Sequence, residues 1–285
     1  MSHVNHNRQQ NRAIEEFLSK GTYRFSGSDV LVFVPVCNEE YTVANVVNGI
    51  RESCNFDILV INDGSTDSTP QILQQLEVEF LEYPPGIDSH VIFTGLKVAY
   101  ALGYKYVVKI DGDDQHNPQD IPRLYEHAIK TGADIVIGSR HLHKFDVNIF
   151  SFEGSGMWFC SRLVSLLSGK RITDTTSGLK IWRREASEVS LAALQKGRLK
   201  EGSTYHVEEL IIAARNKLKV EEISVTMRPR QYGETKSYSR KNMVLFPLNL
   251  VRSTIRALFG NGKYRQDTAS YISGEAQEIR GKPDK

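Results

Sequence analysis

The sequence predicts an α/β fold in which a mostly parallel sheet is flanked by helices in a single main domain. Three observations support this prediction. Short, continuous, Val-rich apolar runs have the length of strands, amphipathic segments of helix length separate them, and polar clusters follow several of the runs directly. Buried parallel strands are typically continuous apolar runs, and an alternation of strands with helices is typical of βαβ units.

The first apolar run, Val30–Val36, predicts a buried strand. We expect a short helix before it, at 11–20, and an amphipathic helix after it, at 41–52. The same alternation predicts strands at 58–61, 78–81, 106–110 and 134–138, and helices at 70–76, 91–102 and 119–130. Ligands in such sheets bind beyond the carboxyl ends of the strands, so a site is expected at that edge.

The alternation weakens after residue 150. The pattern there predicts a helix at 157–167, a mixed segment at 171–184, a helix at 206–216 and a strand at 220–227. We divide the chain into an N-terminal extension with a short helix, the main domain, a basic loop with an amphipathic helix, and a disordered tail, at 1–28, 29–229, 230–265 and 266–285.

Composition and charge argue against several classes of protein. The net charge of +2 argues against a large phosphate-neutralising surface for nucleic acid. The 3 Cys form no CxxC pair, which indicates reduced thiols. The start of the chain lacks the apolar core of a secretory signal, and no apolar run approaches the about 18 residues that span a bilayer. We therefore expect a cytoplasmic protein, with peripheral contact at the cytoplasmic membrane face left open.

The positive charge is concentrated in one part of the chain. Residues 226–265 hold nine Lys or Arg and one acid, Glu234. Within this stretch, the amphipathic segment 242–265 either lies on an anionic membrane surface or packs its apolar face on the main domain, and the sequence leaves both possibilities open. The uneven charge predicts an anionic ligand for the C-terminal part.

Acidic residues at one predicted strand end are candidates for a metal site. Asp111 and Asp113 follow the strand at 106–110, and Gln115 adds an oxygen nearby. Hard oxygen ligands suit Mg²⁺ or Mn²⁺, which keep coordination positions for substrate phosphates. An acidic turn in contact with solvent is the alternative interpretation of the same residues.

Further polar residues lie at strand ends and in the basic loop. Asp63 is either a turn cap or an acceptor for a base or ribose, and Arg140 pairs either with a phosphate or with a local carboxylate. Arg230 and Lys236 flank a Gly in a loop, where they either close on a diphosphate or are simply solvated.

Six segments in this order resemble the motifs of the family 2 glycosyltransferases. They are VPVCNEE (34–40), INDGSTDST (61–69), KIDGDDQHNP (109–118), IGSR (137–140), DTTSGLK (174–180) and RQYGETKS (230–237). The subgroup that they resemble is the dolichol- or polyprenol-phosphate mannose and glucose synthases. The resemblance implies a GT-A fold, a GDP-mannose or UDP-sugar donor, Mg²⁺ or Mn²⁺, and inversion at the anomeric carbon.

The resemblance also implies roles for individual residues. The nucleoside would be held by Pro35, Glu39, Ile61 and Asp63. The ribose and phosphate would lie against Asp111 and Gly112, and the metal among Asp111, Asp113 and Gln115. Phosphate oxygens would be bound by Arg140, Arg230 and Lys236. Catalytic roles are implied for Asp113 and for Glu209, the latter as general base where the acceptor is a hydroxyl.

Three features depart from the family pattern, and the third of them leaves the acceptor open. Cys37 replaces the usual Tyr, Asn62 replaces the usual first Asp, and 145–161 lacks the Arg that the subgroup uses for a lipid phosphate. The first hypothesis is transfer to a polyprenyl or dolichyl phosphate. The alternative is transfer to a hydroxyl of a glycan or lipid-linked oligosaccharide in cell-surface polysaccharide synthesis, and a sugar-1-phosphate nucleotidyltransferase ranks below both.

Overall fold

The computed structural model describes residues 3–84, 88–142, 152–196, 199, 204–230, 232, 252, 254, 255 and 257. The strands are β1 (Val30–Val36), β2 (Asp57–Asp63), β3 (Glu79–Tyr83), β4 (Tyr106–Lys109), β5 (Ile135–Ser139), β6 (Lys180–Arg183) and β7 (Val220–Ser224). The helices are α1 (His3–Ser19), α2 (Val43–Ser53), α3 (Thr69–Gln75), α4 (Asp88–Leu102), α5 (Asp120–Thr131), α6 (Phe152–Ser168), α7 (Arg184–Gln195) and α8 (Tyr205–Arg215).

The strands form one seven-stranded sheet in the order β3-β2-β1-β4-β6-β5-β7. All neighbouring pairs are parallel except the two that involve β6, which runs antiparallel to β4 and β5. The predicted α/β class with a mostly parallel sheet is therefore confirmed. In the described part of the chain after residue 150, β6 and β7 join the same sheet, and the helices α6, α7 and α8 pack on one of its faces.

Two elements were not predicted. β6 and α7 lie in the segment that the sequence pattern left as mixed or unassigned. β6 escapes recognition because two of its four residues, Lys180 and Arg183, are basic, whereas a buried strand is expected to be apolar. The predicted strand at 220–227 also ends earlier, at Ser224, and the first helix begins at His3 rather than near residue 11.

Alternating side chains of the strands fill two apolar cores, one on each face of the sheet. In β1, Leu31 and Phe33 join the core formed with α1, α4, α6, α7 and α8. Val32 and Val34 join the second core, formed with α2, α3 and α5. The two-residue period of a strand explains this division, and it accounts for the continuous apolar run of β1.

The reversed direction of β6 determines where the segment before it lies. Lys180, the first residue of β6, is paired with Lys109 at the end of β4 and with Ile137 near the end of β5. Residues 174–179 therefore reach the same edge of the sheet as the carboxyl ends of β1, β2, β4 and β5. This edge carries most of the predicted site residues.

At the opposite edge, one buried carboxylate ties the N-terminal segment to the sheet. Asp57 accepts hydrogen bonds from the backbone N–H and hydroxyl of Ser26, the N–H of Ser28 and the hydroxyl of Tyr104. Asp57 is only 3% exposed. Burial and the bond to Asp57 both raise the pKa of Tyr104, so the phenol remains a hydrogen-bond donor.

We expect Asp57→Ala to lower the free energy of unfolding by about 2–4 kcal/mol, because it leaves several part-buried donors without their common acceptor. Denaturant unfolding followed by circular dichroism measures this change. The matched control is Asp29→Ala, which removes an exposed ion pair with Lys105 and should leave the stability nearly unchanged. Equal effects of the two substitutions would contradict the anchoring role of Asp57.

Candidate active site

The first acid of the turn after β4 faces the sheet. Asp111 accepts a hydrogen bond from the Lys109 ammonium group at 2.6 Å. Burial alone would raise the pKa of Asp111, but the charges of Lys109 and His116 hold it below its ordinary value. Asp111 is therefore an ionised carboxylate whose position is set from within the protein.

The second acid of the turn faces the C-terminal part of the chain. One oxygen of Asp113 accepts the N–H of Gln115, and the other accepts a hydrogen bond from the Arg230 guanidinium at 2.6 Å. Burial, together with the charge of Asp111, raises the pKa of Asp113. The two carboxylates are thus close enough to interact but have different partners.

Two glycines allow the backbone to approach these acids. A Cβ atom on Gly178 would lie 1.7 Å from Asp111 Oδ2, so only glycine fits beside that carboxylate. A Cβ atom on Gly112 would lie 2.5 Å from the side chain of Val36 and 3.0 Å from the Pro35 carbonyl oxygen. The N–H of Gly112 donates to that carbonyl, which holds the turn against β1.

The residues predicted to hold a nucleoside lie at the same edge. Pro35 and Ile61 are paired across β1 and β2, and Asp63 ends β2. The side chain of Ile61 is fully buried, and the residue is paired with both β1 and β3, so its contact with a nucleoside stays a prediction. Glu39 accepts the hydroxyl of Thr42 at the start of α2.

Asn62, one of the departures from the family pattern, has a clear structural role. Its side-chain oxygen accepts the N–H of Ser65, and its amide nitrogen donates to Glu82. Asn62 is only 1% exposed, so it closes the turn after β2 from within the protein. An amide performs this role because it supplies both a donor and an acceptor.

Arg140 is held by a carboxylate. Its guanidinium makes a bidentate ion pair with Asp174, at 2.6 and 2.7 Å, and also donates to the Thr176 hydroxyl at 2.9 Å. Arg140 keeps the pKa of the buried Asp174 below its ordinary value, although burial opposes this. Of the two roles expected for Arg140, the structure shows the local ion pair, and phosphate binding stays a prediction.

Gln115 and the two loop cations complete the predicted set. The side-chain nitrogen of Gln115 donates to the Arg228 carbonyl at 3.3 Å, so Gln115 contacts the C-terminal segment as well as the acidic turn. Arg230 reaches Asp113, as described above. Lys236 lies outside the described residues, and its phosphate role stays a prediction.

The geometry argues against the general-base role predicted for Glu209. The carboxylate is 1% exposed and accepts hydrogen bonds from Lys180 and from the side chains of Trp182, Ser190 and Tyr205. Its oxygens are therefore occupied within the core, and the exposed proton acceptor that a base requires is absent from this position.

Three residues of the site had no role in the sequence analysis. Lys109 and Asp174 position Asp111 and Arg140, and Gly178 leaves room for Asp111. One signal was available, since Lys109 is a charged residue in an otherwise apolar run. The contacts of Asp174 and Gly178 depend on the reversed β6, which the sequence pattern did not predict.

The comparisons with known proteins agree with this architecture. Residues 31–189 match the family described as Glycosyl transferase family 2. A UDP-N-acetylglucosamine-dolichyl-phosphate N-acetylglucosaminyltransferase of Methanococcus voltae is 31% identical over 69% of this chain and 84% of its own length. A polyprenol monophosphomannose synthase of Mycolicibacterium smegmatis is 29% identical over 72% of this chain and 80% of its own.

Solved structures show the same fold. Glucosyl-3-phosphoglycerate synthase from Mycobacterium tuberculosis, in complex with Mn²⁺, uridine diphosphate and glucosyl-3-phosphoglycerate, superposes with a TM-score of 0.59. The match covers 87% of this chain and 84% of that one at 16% sequence identity. At this identity the likeness establishes the GT-A fold alone.

We expect Gly178→Ala to weaken the binding of Mn²⁺ with UDP or GDP by at least about tenfold, because the new methyl group displaces the Asp111 carboxylate. Isothermal titration calorimetry measures this affinity. The control is Gly103→Ala, at a glycine with positive φ and open space around it, which costs stability without touching the site. Unchanged binding in Gly178→Ala would show that the position of Asp111 is not needed.

We expect Glu209→Gln to lower the free energy of unfolding by about 3–5 kcal/mol, because it leaves the buried Lys180 ammonium without a counter-charge. Adding Lys180→Met to this variant should recover much of the loss. Denaturant unfolding of both proteins checks this. A stable Glu209→Gln protein whose transfer rate has lost its dependence on pH would instead restore the general-base assignment.

Proposed function

This chain belongs to glycosyltransferase family 2 and is a glycosyltransferase, and we propose that it moves a sugar from a nucleotide-diphospho-sugar to a polyprenyl or dolichyl phosphate. The observation that carries the acceptor is the similarity to relatives whose names specify dolichyl phosphate and polyprenol. Both similarities extend over at least four fifths of the relative's length. The donor is a UDP- or GDP-linked sugar.

The site that we assign to the nucleotide-sugar has the oxygen ligands that a divalent cation requires. Two carboxylates, Asp111 and Asp113, lie side by side, and Asp113 already holds a cationic partner, the Arg230 guanidinium. Among the described residues, no three His, Cys, Asp or Glu side chains form a ready metal cluster. The pair of carboxylates suits Mg²⁺ or Mn²⁺, which bind through one or two carboxylates and complete their shell with phosphate oxygens and water.

The reaction proposed is an inverting displacement. An oxygen of the acceptor phosphate attacks the anomeric carbon, and the bond from that carbon to the nucleoside diphosphate breaks, with its electron pair leaving on the diphosphate. A bound divalent cation would offset the negative charge that develops there. Arg230 would also donate hydrogen bonds to oxygens of the diphosphate.

A phosphate acceptor agrees with the state of Glu209. A phosphate monoester is already ionised near neutral pH, so its attack requires no general base. A hydroxyl acceptor would require one, and the predicted candidate is bound by four donors in the core. The absence of Lys and Arg from 145–161 is the observation that keeps the hydroxyl alternative in view.

Helix α6 supports a lipid-linked acceptor. It exposes Trp158, Phe159 and Leu166, with the Arg162 guanidinium over the Trp158 ring at 5.5 Å. The hydroxyl of Ser161, on the buried side, donates to the Ile172 carbonyl just before the segment that carries Asp174 and Gly178. A helix with an aromatic and basic outer face, tied to the site from its inner face, suits contact with a membrane surface.

The second membrane contact that we propose involves the basic segment 242–265, most of which lies outside the described residues. Ile255 is 52% exposed, whereas Ala257 is buried and its carbonyl accepts the Arg215 guanidinium. Ala257 therefore packs on the main domain, while the side chain of Ile255 offers apolar surface. Across the described residues, no helix has the length and apolar character needed to cross a bilayer.

The test is a transfer assay with radiolabelled UDP- and GDP-sugars, polyprenyl phosphate and Mg²⁺ or Mn²⁺, followed by separation of organic and aqueous phases. We expect label from one donor in the organic phase, and loss of at least about a hundredfold in Asp113→Asn, because the carboxylate that faces the diphosphate is neutralised. Leu166→Glu should reduce transfer with acceptor in anionic vesicles but not with a short, water-soluble prenyl phosphate.

Absence of organic-phase label with every donor would contradict the phosphate-acceptor proposal. If the same protein still binds nucleotide with metal and labels an added glycan in the aqueous phase, the hydroxyl alternative would replace it. Label in the organic phase that is unaffected by Asp113→Asn would contradict the placement of the donor site.

A further inference from the structure

The segment 225–230, which we name the strap, lies across the acidic turn. It follows β7 directly, and Met227 forms an antiparallel bridge with His116. The Arg228 N–H donates to the Gln115 carbonyl at 2.7 Å, and the Gln115 side chain donates back to the Arg228 carbonyl. The backbone of the strap is therefore fastened to residues 115 and 116, next to the two carboxylates of the site.

Two ion pairs connect the strap with consecutive acids of the turn. Arg228 pairs with Asp114 at 2.9 Å, and Arg230 pairs with Asp113 at 2.6 Å. Asp114 has a φ of 56°, in the left-handed region that Asp tolerates better than most residues. Just beyond the strap, the Tyr232 ring stacks on Tyr41 with the ring centroids 5.0 Å apart.

The Arg230 guanidinium is paired with Asp113, the same carboxylate that we assign to the divalent metal ion. Asp113 is next to Asp111, and the Arg230 guanidinium offsets the repulsion between these two negative charges. A guanidinium and a divalent cation that share one carboxylate oxygen repel each other strongly, since two charges a few ångströms apart interact by several kcal/mol in a partly buried site. Simultaneous binding of both cations to Oδ2 of Asp113, the oxygen that holds Arg230, is therefore disfavoured.

We propose that Arg230 is a place-holding cation, which covers Asp113 in the free enzyme and moves to the donor diphosphate when a divalent metal binds, and that the Asp114–Arg228 pair positions it for this exchange. The inference rests on the proposed function for the identity of the diphosphate. Pro229 separates Arg228 from Arg230 and limits the backbone between them, so anchoring Arg228 keeps Arg230 within reach of Asp113. Neither Asp114 nor Arg228 needs to touch the substrate.

This exchange predicts effects of opposite sign for metal and nucleotide. In Arg230→Gln, Mn²⁺ alone should bind about tenfold more tightly. The competing guanidinium is gone, so Asp113 is open to the metal in every molecule. UDP or GDP, at saturating Mn²⁺, should bind about tenfold more weakly, because a charge-assisted hydrogen bond to the diphosphate is lost. Isothermal titration calorimetry with MnCl₂, and then with each nucleotide, measures both affinities without any transfer of sugar.

The positioning pair has its own test. Asp114→Asn keeps a residue that tolerates positive φ but removes the charge that holds Arg228. It should tighten the binding of Mn²⁺ alone by about threefold and raise the donor KM with a smaller effect on kcat, because Arg230 stays on the strap but is held less firmly. Arg12→Gln, which removes an exposed guanidinium paired with Glu16 on α1, is the matched control and should change neither affinity.

Unchanged or weaker binding of Mn²⁺ alone in Arg230→Gln would overturn the exchange, because a purely structural Arg230 does not compete with the metal. Failure of Mn²⁺ to bind either protein, with or without nucleotide, would overturn it as well. In both cases the organic-phase transfer assay still decides the proposed function separately, since it depends on product formation and not on the order in which cations occupy Asp113.

Discussion

Two buried lysines, directly opposite each other where β4 ends and β6 begins, constrain the rest of the structure. Lys109 of β4 and Lys180 of β6 are paired in the antiparallel register and are 6% and 0% exposed. Opposite residues of an antiparallel pair project to the same face, so two like charges lie close together in a poorly solvated interior. Each lysine therefore needs a carboxylate of its own, and these are Asp111 and Glu209.

Because each buried lysine takes one carboxylate, three acids that look alike in the sequence have different roles. They are Glu209, Asp111 and Asp113. Glu209 neutralises Lys180 from α8 and is surrounded by donors, so it stabilises the packing of α8 and α7 on the sheet. Asp111 neutralises Lys109 at the carboxyl edge and is held ionised. Asp113 faces outward, and its partner, Arg230, comes from a segment that can exchange it. The site thus contains one internally held carboxylate and one that is available to a changing set of cations.

The same edge connects the donor site to the outer face of α6. Asp174 holds Arg140, Gly178 lies against Asp111, and the residues just before them are tied to Ser161 and Ser165 of α6. In the transfer that we propose, one continuous segment thus joins the helix assigned to the lipid-linked acceptor with the site assigned to the donor.

The sequence by itself determined the α/β class, the strands β1 to β5, the family and the grouping of Asp63, Asp111 and Asp113 at one edge. Apolar runs and strand-end motifs are local signals, and the carboxyl ends of parallel strands meet by geometry alone. The tertiary structure decided the antiparallel direction of β6, the commitment of Arg140 to Asp174, the burial of Glu209 and the pairing of Arg230 with Asp113. These depend on which distant charges meet in a desolvated interior, and the same Lys, Arg or Glu is written in a sequence whether it ends in solvent or opposite a partner.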